Sequence, residues 1–256
     1  MKKPIKTVFI DLDDTLLNSE GIITPYTLSV LEECKRRGVY IVFATARSET
    51  SAKRYIDAVR PNGVISNCGA QVRIGDTIIH TQTLDKATSN ALIAALLGCT
   101  ALQVLTVETE GGYYLCHNGD LSTAYGFAER YDFTNPLDEA IYKATVYFHD
   151  ISAAENIASR FDNVKLSPFS DKNWCAFMHI DSSKMNGAIK VIEHLGIDTS
   201  NTIAFGDDYN DIELLKHCGI GIAMENAILS VKAAADVICE SNDDDGVAKW
   251  LEKHVL

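Results

Sequence analysis

Short unbroken apolar runs alternate with helix-like segments at both ends of the chain. Residues 5–10 (IKTVFI) are an apolar, β-rich run that stops at Asp11, the pattern of a buried strand. Thr24-Pro25 opens a helix, with Thr24 as cap and Pro25 in the first turn, and Gly38 closes it. Residues 39–44 (VYIVFA) predict a second buried strand, 48–59 a helix and 63–66 a short third strand. This βαβαβ rhythm implies a parallel sheet covered by helices.

The middle of the chain differs. Residues 72–80 predict a hairpin with Gly75-Asp76 at its tip. Helices are expected at 85–97, near 121–131 and at 153–161. Strands are expected across 102–116, joined through Glu110-Gly111-Gly112, and at 141–148 and 174–180. Hairpins mixed with helices make an antiparallel α+β module. From Lys184 the first rhythm returns. Residues 185–195 form a helix ended by Gly196, followed by strand 202–205, helix 211–217, strand 219–223, helix 227–235 and a short strand at 237–238. A terminal helix, 246–255, stands behind Asp243-Asp244-Asp245. The expected fold is α/β, with a doubly wound, Rossmann-like parallel-sheet core from residues 1–82 and 183–256. An α+β domain is inserted at 83–182.

Composition removes several functions. The 256 residues carry a net charge of -12 and no basic run, which disfavours a polyanion such as nucleic acid. A phosphorylated small molecule stays open, because a few cations and backbone amides hold one phosphate. The cysteines are seven, scattered and without a C-x-x-C pair, which fits a reducing cytoplasm better than a disulfide scaffold or zinc cluster. The apolar run behind the N-terminal lysines is too short for a signal peptide or membrane span, so no membrane role is expected.

Asp11 and Asp13 stand at the carboxyl end of the first strand, where open α/β sheets bind ligands. If the extended geometry persists, they point the same way and share one crevice. Such crowding calls for a cation or a held proton. Acids after a strand also cap turns, and for this pair alone the two readings are evenly matched. Asp207, Asp208 and Asp211 form a second acidic group after a buried strand, suited to Mg²⁺ or to capping the next helix. Thr45 and Arg47 follow the second strand, as a phosphate seat or as an ordinary cap with a solvated Arg. Lys184 opens a helix, against the helix dipole, which calls for a nearby anion; a surface lysine is the alternative. No G-x-G-x-x-G follows the first strand, and no G-x-x-x-x-G-K-[ST], G-x-S-x-G or H-E-x-x-H occurs.

In their order along the chain, Asp11-Leu12-Asp13-Asp14-Thr15, Thr45, Lys184 and Gly206-Asp207-Asp208-Tyr209-Asn210-Asp211 resemble the four motifs of the haloacid dehalogenase superfamily. Ser66-Asn67-Cys68-Gly69-Ala70, the run Gly219-Ile220-Gly221-Ile222-Ala223-Met224-Glu225-Asn226-Ala227 and Asp245-Gly246-Val247 are similar to stretches of its Cof-type phosphatases. Ala46 departs from the usual glycine of T-G-R. The resemblance implies a phosphatase in which Asp11 attacks phosphorus and forms an aspartyl phosphate, while Asp13 serves as general acid and base. It implies Mg²⁺ held by Asp11, the backbone carbonyl of Asp13 and Asp207. Thr45, the Ala46 amide and Lys184 would hold the phosphoryl group, and Asn210 would touch phosphate or orient Lys184. Asp211, and less directly Asp208, would stand behind these, with Arg47 and Asn67 on the substrate side.

The insert lies where this family carries its larger cap, the part that selects substrate. Tyr113, Tyr114, Tyr125, Phe127, Tyr131, Trp174 and Phe177 are contact candidates or cap core. Sugar phosphates are the first expectation, and flavin mononucleotide or pyridoxal phosphate the second. The expected state is a monomer or weak homo-oligomer. The competing readings are a phosphomutase or phosphotransferase of the same superfamily, and a non-hydrolytic phospho-acceptor signalling domain. The latter normally carries its aspartate after the third strand.

Overall fold

In the computed structural model, residues 4–117, 129–131, 133–148, 150–170 and 173–256 are described. The chain divides into two compact units, Met1–Thr81 with Ser183–Leu256, and Gln82–Ser182.

The first unit starts with β1 (Thr7–Ile10), α1 (Pro25–Arg36), β2 (Tyr40–Ala44), α2 (Glu49–Val59), β3 (Gly63–Ser66), β4 (Gln71–Ile74) and β5 (Thr77–Thr81). The inserted unit carries α3 (Lys86–Leu97), β6 (Leu102–Thr109), β7 (Tyr113–His117), β8 (Glu129–Arg130), β9 (Ile141–Phe148), α4 (Ile151–Ala158), β10 (Val164–Pro168) and β11 (Trp174–His179). The first unit resumes with α5 (Lys184–Leu195), β12 (Thr202–Gly206), α6 (Ile212–His217), β13 (Ile220–Ala223), α7 (Leu229–Ala234), β14 (Val237–Ile238) and α8 (Gly246–His254).

The first unit holds an eight-stranded sheet in the order β14-β13-β12-β1-β2-β3-β4-β5. The ladders from β14 to β3 are parallel, and the β4–β5 hairpin extends the sheet antiparallel to β3. Its turn contains Gly75 at φ +54°, the left-handed conformation glycine adopts without a Cβ clash. Val8, Phe9, Ile10, Val42, Phe43, Ile203 and Phe205 are fully buried. Strands covered on both faces need such unbroken apolar runs, because no side of the strand meets water. Helix α1 packs on α2 and α8, and α5 on α6, which packs on α7. The side chain of Thr24 accepts the N–H of Thr27, Ser48 that of Ser51 and Ser183 that of Asn186, so each of these helices is capped.

Strand β1 has β2 on one side and β12 on the other. The chain winds away from β1 in one direction and returns on the opposite side. The crevice at the carboxyl ends of β1 and β12 is therefore a topological switch point.

The inserted unit has a six-stranded sheet, β10-β11-β9-β6-β7-β8, antiparallel except for β7 and β8. Leu92 and Leu96 of α3 and Ala154 and Ile157 of α4 share its core with Leu105, Val107, Val146, Phe148 and Phe177. Alternate residues point to the other face of the sheet. There Glu108 and Lys143, both buried, pair at 3.0 Å.

Several expectations shift. The helix expected at 153–161 spans Ile151–Ala158, because Asp150 caps it by accepting the N–H of Ser152. Of the helix expected near 121–131, residues 121–128 lie outside the described residues, and Glu129–Arg130 pair with β7 as a strand. Strand β10 was not expected: its lysine, serine and proline hide it, and an edge position tolerates Pro168. Among the aromatic candidates, Phe177 is core, Tyr114 and Tyr131 pack against that core, and Tyr113 and Trp174 are half-buried. Tyr125 and Phe127 lie outside the described residues. No described helix is long and apolar enough to cross a membrane.

Candidate active site

Asp11 follows β1 directly, and its N–H donates to the carbonyl of Phe205 on β12 (3.2 Å). Asp207 follows β12 directly, so the two acids meet across the switch point. Both are buried. The chain after β12 doubles back: Asp211 Oδ2 accepts the N–H groups of Asp207 (3.1 Å) and Asp208 (3.2 Å). Gly206 permits this, since a Cβ there would lie 2.4 Å from the Asp211 side chain. Lys184, the first residue of α5, is fully buried and places Nζ 2.8 Å from Asp11 Oδ1 and 2.7 Å from Asp211 Oδ1. These carboxylates are the anions that a cation at a helix N-terminus requires.

Lys184 is brought to this point by backbone packing. Gly69, at φ +93°, lies so close to Ser183 that a Cβ would sit 2.0 Å from the Ser183 carbonyl oxygen. Asn67 and Cys68 precede it with φ of +52° and +55°. Such conformations are costly for non-glycine residues and mark a backbone over-determined by its surroundings.

The electrostatics follow from crowding. Oxygens of Asp11, Asp207 and Asp211 lie within 4.8 Å of one another, with one ammonium among them. Burial pushes Asp11 up to about 8, helped by Asp211 and Asp13 and opposed by Lys184. Burial likewise pushes Asp207 up to about 9, with Asp11 and Asp211 adding and the hydroxyl of Thr15 opposing. That hydroxyl donates to Asp207 Oδ1 at 2.6 Å. Burial works against the charge of Lys184, but Asp11 and Asp211 outweigh it and raise its pKa. Hard oxygen donors with excess negative charge fit a divalent cation such as Mg²⁺. Both oxygens of Asp211 already accept hydrogen bonds, which leaves Asp11 and Asp207 as the side chains better placed to ligate.

Asp13 does not share the buried crevice, contrary to expectation. The strand gives way to an irregular turn, Leu12–Leu16, in which Asp13 still has extended angles (φ -68°, ψ 135°) and Asp14 is left-handed at φ +51°. The side chain of Asp13 is half exposed and accepts two hydrogen bonds from Arg47, Nε to Oδ2 (2.8 Å) and Nη2 to Oδ1 (2.6 Å). Thr45 is fully buried and its Oγ1 accepts the N–H of Arg47 (3.1 Å). It is not the cap of α2, a place taken by Ser48. Ala46 has no positive φ, so its backbone does not demand the glycine usual there.

Asn210 sits in the turn between β12 and α6, with Oδ1 buried and without a hydrogen-bond partner. Lys184 is held by Asp11 and Asp211 rather than by Asn210. Asn67 Oδ1 is likewise buried and unsatisfied. Orphaned polar atoms are rare in native interiors, and these two stand in the loops around the acids. Asp208 accepts the N–H of Tyr209 (2.7 Å).

Sequence reasoning gave Thr15 no role, although it lies inside the first motif. It also missed a brace on the loop after Asp11. Asn226 Nδ2 donates to the Asp14 carbonyl (2.6 Å), its Oδ1 accepts the Asn242 N–H (3.0 Å), and Asn242 Nδ2 donates to the Leu17 carbonyl (2.9 Å). Asp245 Oδ1 accepts the hydroxyls of Thr24 and Thr27 at the start of α1. The later motifs thus hold the loops around the acids.

Residues 8–251 match the family model of haloacid dehalogenase-like hydrolases. A Haemophilus influenzae protein named only as a candidate phosphatase is 29% identical over 266 residues, 97% of each chain. The 5-amino-6-(5-phospho-D-ribitylamino)uracil phosphatase YitU of Bacillus subtilis is 26% identical over 268 residues, 96% of each. Among solved structures, a subclass IIB sugar phosphatase superposes with a TM-score of 0.85 at 24% identity, over 97% of this chain and 98% of the other. The fold, the order of its motifs and the family match agree: the chain belongs to the haloacid dehalogenase-like hydrolases.

Proposed function

We propose that this protein is a Mg²⁺-dependent phosphatase of small phosphomonoesters that works through an aspartyl phosphate on Asp11. The observation that carries the reading is the buried pair of Asp11 and Lys184, 2.8 Å apart at the switch point beside Asp207. An ionised carboxylate is a nucleophile without a base to activate it. Lys184 holds the oxygen that does not attack and faces the incoming negative charge.

Asp11 forms a bond to phosphorus as the ester P–O bond breaks. The leaving oxygen takes its proton from Asp13. Water then attacks the same phosphorus, Asp13 takes a proton from it, and the P–O bond to Asp11 breaks to give orthophosphate. Thr45, the amide of Ala46, Lys184 and Asn210 hold the transferring group. Asp211 fixes Lys184 and the Asp207 turn. Mg²⁺, held by Asp11, the carbonyl of Asp13 and Asp207, would offset the repulsion between carboxylate and phosphate.

The inserted unit selects the substrate. YitU and the sugar phosphatase are named for phosphates on hydroxyl-rich carbon chains, which supports a sugar phosphate here, ahead of flavin mononucleotide or pyridoxal phosphate. The scattered cysteines, among which no disulfide forms, support a cytoplasmic setting. The test is orthophosphate release from a panel of these esters with Mg²⁺. No turnover on any of them overturns the reading. Faster transfer to a sugar hydroxyl than to water would make the protein a phosphotransferase instead.

A further inference from the structure

Arg47 has no part in the steps above, yet it is among the most constrained side chains near the site. Both of its hydrogen bonds to Asp13 are short and parallel, the fork geometry that a planar guanidinium makes with a carboxylate. Its backbone is fixed on both sides. The N–H donates to Thr45 Oγ1, and the carbonyl accepts the N–H of Asn67 at 2.8 Å. Cys68 donates to the carbonyl of Thr45 in the same way (3.1 Å). The left-handed pair Asn67 and Cys68 therefore holds the Thr45–Arg47 segment. The guanidinium also lies over the ring of Tyr55, 5.6 Å from its centroid, and the Tyr55 hydroxyl donates to the Gly21 carbonyl (3.1 Å).

Asp13 is anchored at its own end by Asp14, whose carbonyl accepts Asn226 Nδ2. Two braced backbones thus meet through one ion pair. Asp13 is half exposed and Arg47 one-third exposed, so the pair adds little to folding. Its constraint is explained by what it orients.

We infer that Arg47 is a positioning residue for Asp13, fixing the carboxyl group that protonates the leaving oxygen. The inference rests on the acid–base reading of Asp13 given above. During the first step the O–H bond of Asp13 breaks and a bond to the leaving oxygen forms. Both oxygens are on Arg47 in the structure, so the oxygen that carries the proton gives up its Arg47 bond as it turns to the ester, while the other keeps its bond and holds the group in place.

Proton donation matters for an alkoxide leaving group and hardly at all for p-nitrophenolate. The experiment is therefore rapid-quench measurement of leaving-group release in the first turnover, with Mg²⁺, on a sugar phosphate and on p-nitrophenyl phosphate. Arg47→Gln should slow release from the sugar phosphate about 10- to 100-fold and from p-nitrophenyl phosphate less than about threefold, with substrate affinity within about threefold. Arg47→Lys, which keeps one donor, should fall between. Asp13→Asn, run in parallel, should show the same selectivity at larger size. If Arg47→Gln slows both substrates equally, or weakens affinity with the first-turnover rate intact, the inference is wrong. A selective Asp13→Asn then leaves the acid–base reading standing. An unselective Asp13→Asn removes both.

Discussion

Lys184 Nζ lies 2.8 Å from Asp11 Oδ1, although one residue opens a helix late in the chain and the other directly follows its first strand. The side chain of Lys184 is fully buried. Removing its ammonium would leave Asp11 and Asp211 without their common partner. Breaking a buried pair from one side costs about 3–5 kcal/mol. Lys184→Met should lose about that much in urea unfolding of the metal-free protein, and also lose activity. A loss below about 1 kcal/mol would show that the pair does not hold the core together.

The two acids of the first motif should separate in kinetics. Asp11→Asn removes the nucleophile and should lower kcat on any phosphate ester by about 10³-fold or more. It should also abolish the acid-labile phosphoprotein that rapid quench traps in the wild type. Wild-type turnover by Asp11→Asn would end the nucleophile assignment. Asp13→Asn should cost about 10²–10⁴-fold on a sugar phosphate.

The pH dependence follows from burial. Asp11 and Asp207 are held up to about 8 and about 9, well above the ordinary 3.8. The folded metal-free protein therefore keeps protons that the unfolded chain has released. The contribution of these two groups to stability is full below about pH 4 and is lost as pH rises through about 8 and 9. A divalent cation must displace those protons, so it binds better at high pH. Thermal unfolding with and without Mg²⁺ should show a larger rise in Tm at pH 8 than at pH 6. Equal shifts at the two values would count against Asp11 and Asp207 as ligands.

Gly69→Ala tests the backbone packing that sets Lys184. The new methyl meets the Ser183 carbonyl at 2.0 Å and sits on a φ of +93°. A stability loss of about 2–4 kcal/mol is expected from the forced shift. Mg²⁺-dependent turnover should fall with it, measured at a temperature where the variant is folded. A variant with normal stability and kinetics would show that the contact relaxes freely.

Much of this was legible because short-range rules cover it. The apolar runs locate β1, β2, β3 and β12, and acids stand directly after β1 and β12, where position alone leaves a site and a turn evenly matched. Thr24, Ser48 and Gly196 marked helix ends by local chemistry. What stayed hidden depends on partners far away in sequence. Nothing near Asp13 says that its carboxylate turns outward to Arg47 rather than lying buried beside Asp11. Asn226 and Asn242 look like loop residues until their bonds to Asp14 and Leu17 are seen. Glu108 and Lys143 alternate with apolar neighbours as solvated residues would, yet pair in a buried position. Strand β10 lacks the apolar signal because an edge strand needs less of it.

The placement of β1 between β2 and β12 bears on how the protein is made. Synthesis delivers Asp11 first, together with one neighbouring strand, and the strand that flanks its other side only after the entire insert has been translated. Until then an apolar strand shows an open edge, the kind of surface that recruits other chains. Asp11 meanwhile lacks both its lysine and Asp207. Under the roles proposed for Asp11, Lys184 and Asp207, a nascent chain is inert as well as vulnerable, and activity would serve as a clock for completion of the central sheet.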